Sequence, residues 1–279
     1  MKPAGSSRGR GICLKRDLCE ILDMIKHKDN SSQAISNQKN GQPYICQKYI
    51  ENTMIMLNRK FDIRQWVLVT DWNPLTIWIY REPYIRFPAA DFDFNKINNR
   101  YSHLSNNSVA KNGKKVTITH EIEGNMWDLE TFQSHLVDSY GYDVWEDKIV
   151  ESIKKIVINS LESAQDNFES KKGMPFEIFG YDIMCDDQFN CWLIEVNSSP
   201  AMDYSTQVTE RLVKMVLLDT IKVVVDYGMA SAKKQRKTDT GGFELVYKAK
   251  RVVDKPMSSF GLNLELLGRK ITKNHLKKY

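Results

Sequence analysis

Hydrophobic positions along the chain follow two periods. In residues 147–168 and 206–225 they recur every three or four positions, which is the period of an amphipathic helix. Elsewhere, runs of β-branched and aromatic side chains predict strands, and DWNP at 71–74 predicts a turn between two of them. The predicted strands are 44–50, 61–70, 75–87, 243–248 and the two arms of a hairpin within 176–197. We therefore predict an α+β fold with largely antiparallel sheets and packed helices.

Polar stretches separate these elements. A short helix is predicted at 15–26, and the polar residues 27–42 that follow predict a mobile loop. Residues 88–126 are rich in asparagine and predict further loops. The chain has 279 residues, of which 42% are hydrophobic and 27% charged, so it has enough apolar side chains for a sizeable core.

Neither a membrane span nor a secretory signal is predicted. The chain has no apolar run of about 18 residues, and its basic first residues lack the apolar stretch of a signal peptide. The five cysteines form no CxxC pair, and the five histidines lack the spacing of a zinc site. We expect reduced, buried cysteines of a cytosolic protein and no histidine-built zinc site.

The charge is +5 overall and is concentrated at the two ends of the chain. Residues 1–28 hold seven Lys and Arg against three acids, and residues 268–279 hold five with no acid. Such patches raise encounter rates with polyanions, such as nucleic acid, anionic lipid or an acidic peptide tail, and the alternative for each is ordinary solvated surface charge. The aromatic residues within 42–87 have the spacing of buried strand faces, which argues against a stacking platform for nucleic acid.

The hairpin predicted within 176–197 carries a carboxylate in the middle of each strand, at Asp182 and Glu195. Side chains alternate along a strand, so Glu195 and Asn197 share a face, and a turn near 186–188 brings Asp182 within reach of it. Three oxygen donors at one place suit Mg²⁺ completed by phosphates and water. The alternative is that Asp182 pairs with an arginine and Asn197 only caps the following turn.

Two further segments have the composition of a phosphate site. Residues 2–12 combine small residues with Arg8 and Arg10 ahead of a predicted helix, although they form no Walker A motif. Lys60, Asp62 and Arg64 occupy alternate positions of one strand, and Arg81 and Arg86 follow in the next. This pattern fits neutralisation of a polyphosphate and a carboxylate substrate, or else a surface ladder of ion pairs.

In their order along the chain, these segments resemble the tubulin tyrosine ligase-like family of ATP-grasp ligases. The resemblance rests on residues 2–12, 47–52 (QKYIEN), 60–69 (KFDIRQWVLV), 103–109 (HLSNNSV) and 180–202. Within the family, residues 70–87, 125–127, 199–212 and 239–248 are most similar to the initiating tubulin glycylases. The resemblance implies an ATP-grasp-like fold that lacks the family's N-terminal domain, and thus an N-terminally truncated chain.

The resemblance also implies ATP and Mg²⁺ as cofactors and assigns residues to them. Asp182, Glu195 and Asn197 become the magnesium ligands. Arg64 and Arg81 become contacts of the amino-acid carboxylate or of the acyl phosphate, and Glu195 is counted with them as catalytic. The residues assigned to ATP are Lys2, Arg8, Gly9, Gln47, Lys48, Tyr49, Ile50, Lys60, Phe61, Asp62, Ser105 and Asn106.

The implied reaction adds glycine to glutamate side chains of tubulin tails. The acceptor carboxylate is activated as an acyl phosphate and then attacked by the amine of free glycine, which fits a basic surface facing acidic tails. The expected location is the cytoplasm and cytoskeleton, including the axoneme of cilia and flagella, with microtubules as partner and neither nucleic acid nor membrane. The alternatives are a tubulin polyglutamylase and an inactive, truncated microtubule-binding fragment.

Three parts are expected along the chain. Residues 1–80 would form the nucleotide-binding part, with the loop 27–42. Residues 81–230 would form the catalytic part with the metal hairpin, and residues 231–279 a C-terminal extension with a basic tail.

Overall fold

The computed structural model of the protein describes residues 1–26, 43–113, 120, 122–165 and 176–253. The predicted loop 27–42 and the basic tail 268–279 lie outside these residues. The strands are β1 (Lys2–Pro3), β2 (Tyr44–Ile45), β3 (Ile55–Met56), β4 (Arg59–Lys60), β5 (Asp62–Trp72), β6 (Leu75–Tyr80), β7 (Tyr84–Arg86), β8 (Met126–Asp128), β9 (Glu177–Cys185), β10 (Cys191–Asn197) and β11 (Phe243–Lys248). The helices are α1 (Leu18–Lys26), α2 (Arg100–His103), α3 (Asn107–Ala110), α4 (Leu129–Tyr140), α5 (Val150–Ala164), α6 (Gln207–Ile221) and α7 (Ala232–Gln235).

A seven-stranded sheet forms the centre of the protein, and all its pairings are antiparallel. Its main path is β10-β9-β5-β6-β11, while β7 pairs with the first residues of β5 and with β8. Two small two-stranded sheets, β1-β2 and β3-β4, accompany it. The large sheet takes strands from all three predicted parts of the chain, whose boundaries stay predictions.

Both faces of the sheet are covered because β5 is apolar on both sides. Ile63, Val67 and Val69 face a core formed with α4 and α5, whose inward residues include Phe132 and Val157. Such continuous burial is typical of a central strand packed between layers.

On the opposite face, Trp66 and Leu68 pack with Leu212 of α6 in a second core. Arg64 and Asp62 precede Trp66 by two and four residues. Because side chains alternate along a strand, they lie on the same face of β5 as Trp66. The charged residues therefore lie beside the part of the face that α6 covers.

The two long helices on either side of this sheet lie where the hydrophobic period predicts them. α5 is preceded by a π-helical segment, Trp145–Ile149, and α6 is followed by another, Lys222–Tyr227. The side chain of Thr206 caps α6 by accepting a hydrogen bond from the backbone N–H of Thr209. In the described part of the chain, none of the helices combines the length and apolar character needed to cross a membrane.

The α+β class with antiparallel sheets is confirmed, but two predicted strands are shorter than expected. Within 44–50 only Tyr44–Ile45 pairs as a strand, and residues 46–50 form neither helix nor strand. The predicted strand 75–87 divides into β6 and β7 at residues 81–83, where Pro83 has no N–H to donate to a ladder.

Leu212→Ala tests the packing of α6 on the sheet. Leu212 is fully buried, so the truncation should lower the free energy of unfolding by about 2–5 kcal/mol. Leu218→Ala on the same helix is the matched control, because Leu218 is 62% exposed and its loss should change stability by less than about 0.5 kcal/mol. Urea unfolding followed by circular dichroism measures both, and equal effects would contradict the assigned helix orientation.

Candidate functional site

A cavity of about 440 Å³ lies on the sheet face that α6 packs against, at the end that carries the charged residues of β5. Its floor is formed by residues of β5, β9 and β10, and its walls by segments 12–16, 46–51 and 103–106. The volume is in the range of small-molecule sites in proteins. The cavity therefore marks the candidate site.

The floor is organised by a row of charges across three neighbouring strands. Strand register places Arg64 of β5 opposite Asp182 of β9, and Asp182 opposite Glu195 of β10. Arg64 Nε donates to Asp182 Oδ1 at 2.6 Å, and a β-bulge between Leu193 and Glu195 adjusts the register of the third strand. The row comes from strand pairing, since Arg64 and Asp182 are 118 positions apart in the chain.

Arg86 joins this row to a second carboxylate. Its Nη2 lies 2.6 Å from Asp182 Oδ2, and its Nε donates to Asp62 Oδ1, also at 2.6 Å. Asp62 accepts a further hydrogen bond from the hydroxyl of Ser105. Together with Arg64, these side chains form a nearly fully buried ion network of two arginines and two aspartates.

Electrostatics keep Asp182 ionised in this network. Burial by itself would raise its pKa, but the charges of Arg86 and Arg64 outweigh burial and hold the pKa below its usual value. Burial by itself would lower the pKa of Arg86, but the charges of Asp182 and Asp62 outweigh burial and raise that pKa. Gly180 makes room for the network, since a Cβ there would lie 2.8 Å from Arg64 Nη1.

Glu195 is less well compensated than Asp182. Burial and the neighbouring Asp182 charge raise its pKa. The nearest cation is Lys2, whose Nζ lies 3.8 Å from Glu195 Oε2 and donates to the Ile194 carbonyl at 3.0 Å. An additional cation between the two carboxylates would therefore be favourable.

The donor chemistry at this point fits Mg²⁺. Two carboxylates in adjacent strands supply hard oxygen ligands, and Mg²⁺ in proteins is usually completed by phosphates and water. In the described ranges no three His, Cys, Asp or Glu side chains converge on one point, so a cage made only of such ligands is absent there. Asn197 donates through its amide nitrogen to the Gly180 carbonyl at 3.2 Å, and that bond does not engage its oxygen, the atom that would ligate a metal.

A second cation stands on the other side of the cavity floor. Lys60 is buried, lies 5.0 Å from the centre of the Tyr49 ring and donates to the Tyr49 hydroxyl at 3.4 Å. Burial lowers the pKa of Lys60 to about 8, against an opposing effect of Asp62. Tyr49 OH also lies 2.8 Å from His103 Nδ1, and burial together with Lys60 lowers the pKa of His103, which favours the neutral imidazole.

The segment after β2 forms one wall. Gln47 donates from its Nε2 to the Ile194 carbonyl at 3.5 Å, and Lys48 pairs with Glu51 at 2.8 Å near the surface. The segment thus contacts β10 directly beside Glu195. Eleven predicted site residues line the cavity: Lys2, Gln47, Lys48, Tyr49, Ile50, Lys60, Asp62, Ser105, Asn106, Asp182 and Glu195.

Other predicted residues lie next to the cavity. Arg64 lies behind Asp182 in the buried network, and Asn197 is two positions beyond Glu195. Arg8 and Gly9 adjoin the wall, because a Cβ on Gly9 would lie 2.7 Å from Asn106 Oδ1 and Ser108 donates to the Arg8 carbonyl at 3.0 Å.

Phe61 and Arg81 point elsewhere. The Phe61 ring packs against Phe87 and Phe132 in the core on the α5 side, because it alternates with Lys60 and Asp62 along the chain. Arg81 follows the end of β6, is exposed and donates to the Gly241 carbonyl at 2.6 Å. The structure does not bring either side chain into the cavity.

Several residues of the site have no assigned role at the level of sequence. The sequence marks Arg86 only as a further cation, although the two-residue spacing from Tyr84 to Arg86 places it on the charged face, and strand pairing puts it opposite Asp62. His103 and Met184 also line the cavity, as does Arg16, whose guanidinium stacks 4.4 Å from the centre of the Phe94 ring. A signal for Arg86 existed in strand alternation, whereas the others depend on tertiary packing.

Comparison with known proteins places this geometry in context. The sequence model that defines the tubulin-tyrosine ligase family matches residues 1–233 of this chain. Tubulin glycylase 3C of Tetrahymena thermophila is 50% identical over 268 residues, which cover 95% of this chain and 24% of that protein.

Animal proteins are similar over the same region. Tubulin monoglycylase TTLL3 of Homo sapiens is 40% identical over 250 residues, covering 89% of this chain and 31% of that protein. Protein monoglycylase TTLL8 of Mus musculus is 39% identical over 279 residues, covering 99% of this chain and 32% of that protein. The chain thus spans 24–32% of the length of these relatives.

Arg86→Met tests the buried ion network. The variant leaves Asp62 and Asp182 without a shared cation and should lower the free energy of unfolding at pH 7 by about 3–5 kcal/mol. Because the pKa of folded Asp182 is lowered, its ion pairs stabilise the protein above the unfolded pKa and lose that effect as pH falls through the folded pKa. The difference from wild type should therefore shrink in acid.

The matched control for this substitution is Arg81→Met, which removes an exposed arginine at the end of the neighbouring strand and should change stability by about 0.5 kcal/mol or less. Urea unfolding between pH 3 and pH 7, in roughly one-unit steps, measures both variants across the titration range of aspartate. An Arg86→Met protein as stable as Arg81→Met would refute the network.

Proposed function

Because the chain belongs to the tubulin-tyrosine ligase family, we propose that it forms the nucleotide-binding core of an ATP-dependent ligase that adds glycine to glutamate side chains of tubulin tails. The observation that carries this proposal is the pair of adjacent carboxylates, Asp182 and Glu195, in a cavity that also presents Lys2 and Lys60. The names of the relatives, tubulin glycylase and tubulin monoglycylase, support glycine as the donor.

Different residues of the cavity would contact the phosphates and the base of a nucleotide. Lys2 and Lys60 approach the site from opposite sides and would neutralise phosphate oxygens. Residues 47–50 form a wall outside regular secondary structure, and their backbone groups would hydrogen-bond to a purine edge. Ser105 and Asn106 lie on the facing wall, with Arg8 and Gly9 behind Asn106.

Asp182 and Glu195 would hold Mg²⁺, with Asn197 as a third ligand. Arg64 and Arg86 fix the direction of the Asp182 carboxylate through both of its oxygens, so Asp182 would meet the metal preorganised and ionised. The raised pKa of Glu195 means that the metal would displace a proton whenever Glu195 is protonated.

ATP bound in this cavity would supply the phosphoryl group that makes a glutamate carboxylate of the acceptor reactive as an acyl phosphate. The amine of free glycine then attacks the acyl carbon and releases phosphate, which forms an isopeptide bond. Arg64 stays a proposed contact for the glycine carboxylate or the acyl phosphate, since it stands beside the metal carboxylates. Arg81 was proposed for the same role, but it lies outside the cavity lining.

The proposed partner is the acidic tail of tubulin on microtubules, with action in the cytoplasm and cytoskeleton and on the axonemes of cilia. Positive charge around the site would favour approach of an acidic peptide. The alternatives to a glycylase are a tubulin polyglutamylase and a microtubule-binding fragment without ligase activity.

Incubation of the full chain with tubulin, ATP, Mg²⁺ and either glycine or glutamate tests the proposal. Mass spectrometry of the tubulin tails should show additions of glycine residues only in the presence of glycine. Glu195→Gln should remove the activity while thermal unfolding stays cooperative, because one metal carboxylate is lost. The control is Asp187→Asn, which alters an exposed carboxylate in the turn of the same hairpin and should leave the ligase activity unchanged.

Additions of glutamate would reassign the donor. No addition by a folded chain that still co-sediments with microtubules would identify a binding fragment. Glu195→Gln with unchanged turnover would refute the metal site.

A second prediction concerns Lys60 and pH. Its pKa of about 8 in the free chain means that the ammonium is present below pH 8 and is lost as pH rises past it. The contribution of Lys60 to ATP–Mg²⁺ affinity should therefore be constant below about pH 7, and the affinity should fall above pH 8 by at most about tenfold per unit. Lys60→Arg keeps its charge and should abolish this dependence, as measured by calorimetric titration; a wild-type affinity that is flat to pH 9.5 or so would exclude Lys60 as a phosphate contact.

A further inference from the structure

Two cysteines face each other at the tip of the carboxylate hairpin. Cys185 at the end of β9 and Cys191 at the start of β10 are direct partners in the strand register. Their sulfur atoms lie 3.7 Å apart. Cys185 is 1% exposed, and Cys191 is half-buried. The prediction of buried cysteines is wrong for Cys19 and Cys46, which are exposed.

The backbone at this position is suited to a covalent link. In the next pair toward the turn, the Asp186 N–H donates to the Asn190 carbonyl at 3.0 Å, so the Cys185–Cys191 pair is of the non-hydrogen-bonded type. The Cys185 carbonyl accordingly turns away from β10 and accepts from the Met54 N–H at 2.9 Å. Non-hydrogen-bonded partners have Cα atoms about 4.5 Å apart, which is within the range that a disulfide spans.

We propose that Cys185 and Cys191 are a redox-active pair that forms a reversible cross-strand disulfide and thereby fastens the tip of the hairpin. Closing the sulfurs from 3.7 Å to a bond of about 2.05 Å requires only a small shift of two side chains already in contact. The proposal concerns the chain's own thiols and does not depend on the ligase activity proposed above.

The oxidation balances with a hydroperoxide as oxidant. The Cys191 sulfur attacks one peroxide oxygen of hydrogen peroxide, which forms a sulfenic acid and releases water. The Cys185 sulfur then attacks the Cys191 sulfur, the S–O bond breaks, and a second water leaves with the Cys185 proton. Two thiols are oxidised and one peroxide is reduced to two waters, and an external dithiol reverses the change.

Access and acidity favour Cys191 as the attacking thiol. Cys191 is the more exposed of the two, and the hydrogen bond from the Cys185 thiol lowers its pKa. The same contact, together with burial, raises the pKa of Cys185, which suits its role as the resolving thiol.

The bond would act on the frame of the candidate site. Asp182 lies three residues before Cys185, and Glu195 four residues after Cys191, so the tip and the carboxylates share the same two strands. The tip also contacts the segment that follows the cavity wall, through the bridge between Thr53 and Asp186. A link at the tip should therefore stiffen the hairpin from its turn toward the site.

The experiment uses the full chain with Cys13, Cys19 and Cys46 replaced by serine, which leaves only the proposed pair. Hydrogen peroxide should remove two hydrogens from the intact mass and abolish both free thiols, with the two cysteine peptides linked within one monomer. The melting temperature should rise by roughly 5 °C and return after dithiothreitol treatment. Hydrogen exchange at residues 186–190 should slow on oxidation.

Two controls separate this from nonspecific oxidation. Cys191→Ser in the same background should lose the melting-temperature rise and the internal link, and Cys185→Ala should leave a trappable sulfenic acid at Cys191. The proposal is overturned if both thiols stay titratable after peroxide treatment, if the only disulfides join two monomers, or if oxidation proceeds to sulfinic acid without an internal bond.

Discussion

The buried ion network of Arg64, Arg86, Asp62 and Asp182 is the constraint on which the site depends. Four charges removed from water are tolerable only when each is paired, because an isolated buried charge costs several kcal/mol. Pairing fixes the relative positions of β5, β7 and β9, from which these side chains come. The network therefore links the stability of the sheet to the direction in which Asp182 presents its carboxylate.

The two faces of the sheet have separate tasks. One is closed by α4 and α5 over a continuous apolar core, and it carries no part of the cavity floor. The other is divided between α6, packed on Trp66 and Leu68, and the charged cavity. Rigid packing on one side allows the other side to hold Glu195 and Lys60, whose charges are only partly neutralised. The pKa values of both groups are shifted, which is typical of sites that bind charged ligands.

The β9–β10 hairpin combines the two features that distinguish this chain's site. Its middle carries the adjacent carboxylates, and its tip carries a cysteine pair in contact. The first is the basis of the proposed metal site, in a chain that matches the tubulin-tyrosine ligase family and spans only part of its relatives. The second follows from register alone, since the same antiparallel pairing that aligns Asp182 with Glu195 also aligns Cys185 with Cys191.

Local periodicity in the sequence was enough to determine the α+β class, the two long helices and the charged face of β5, because alternation and helical period are properties of neighbouring residues. Alternation alone does not place Glu195, since the register shift after Leu193 pairs Leu193 with Ile183 but Glu195 with Asp182. Tertiary structure alone decided which cation meets which carboxylate: Arg64 and Asp182 are 118 positions apart. It also joined Arg86 to Asp182 and left Arg81 at the surface, since these outcomes depend on contacts between segments that are distant in the chain.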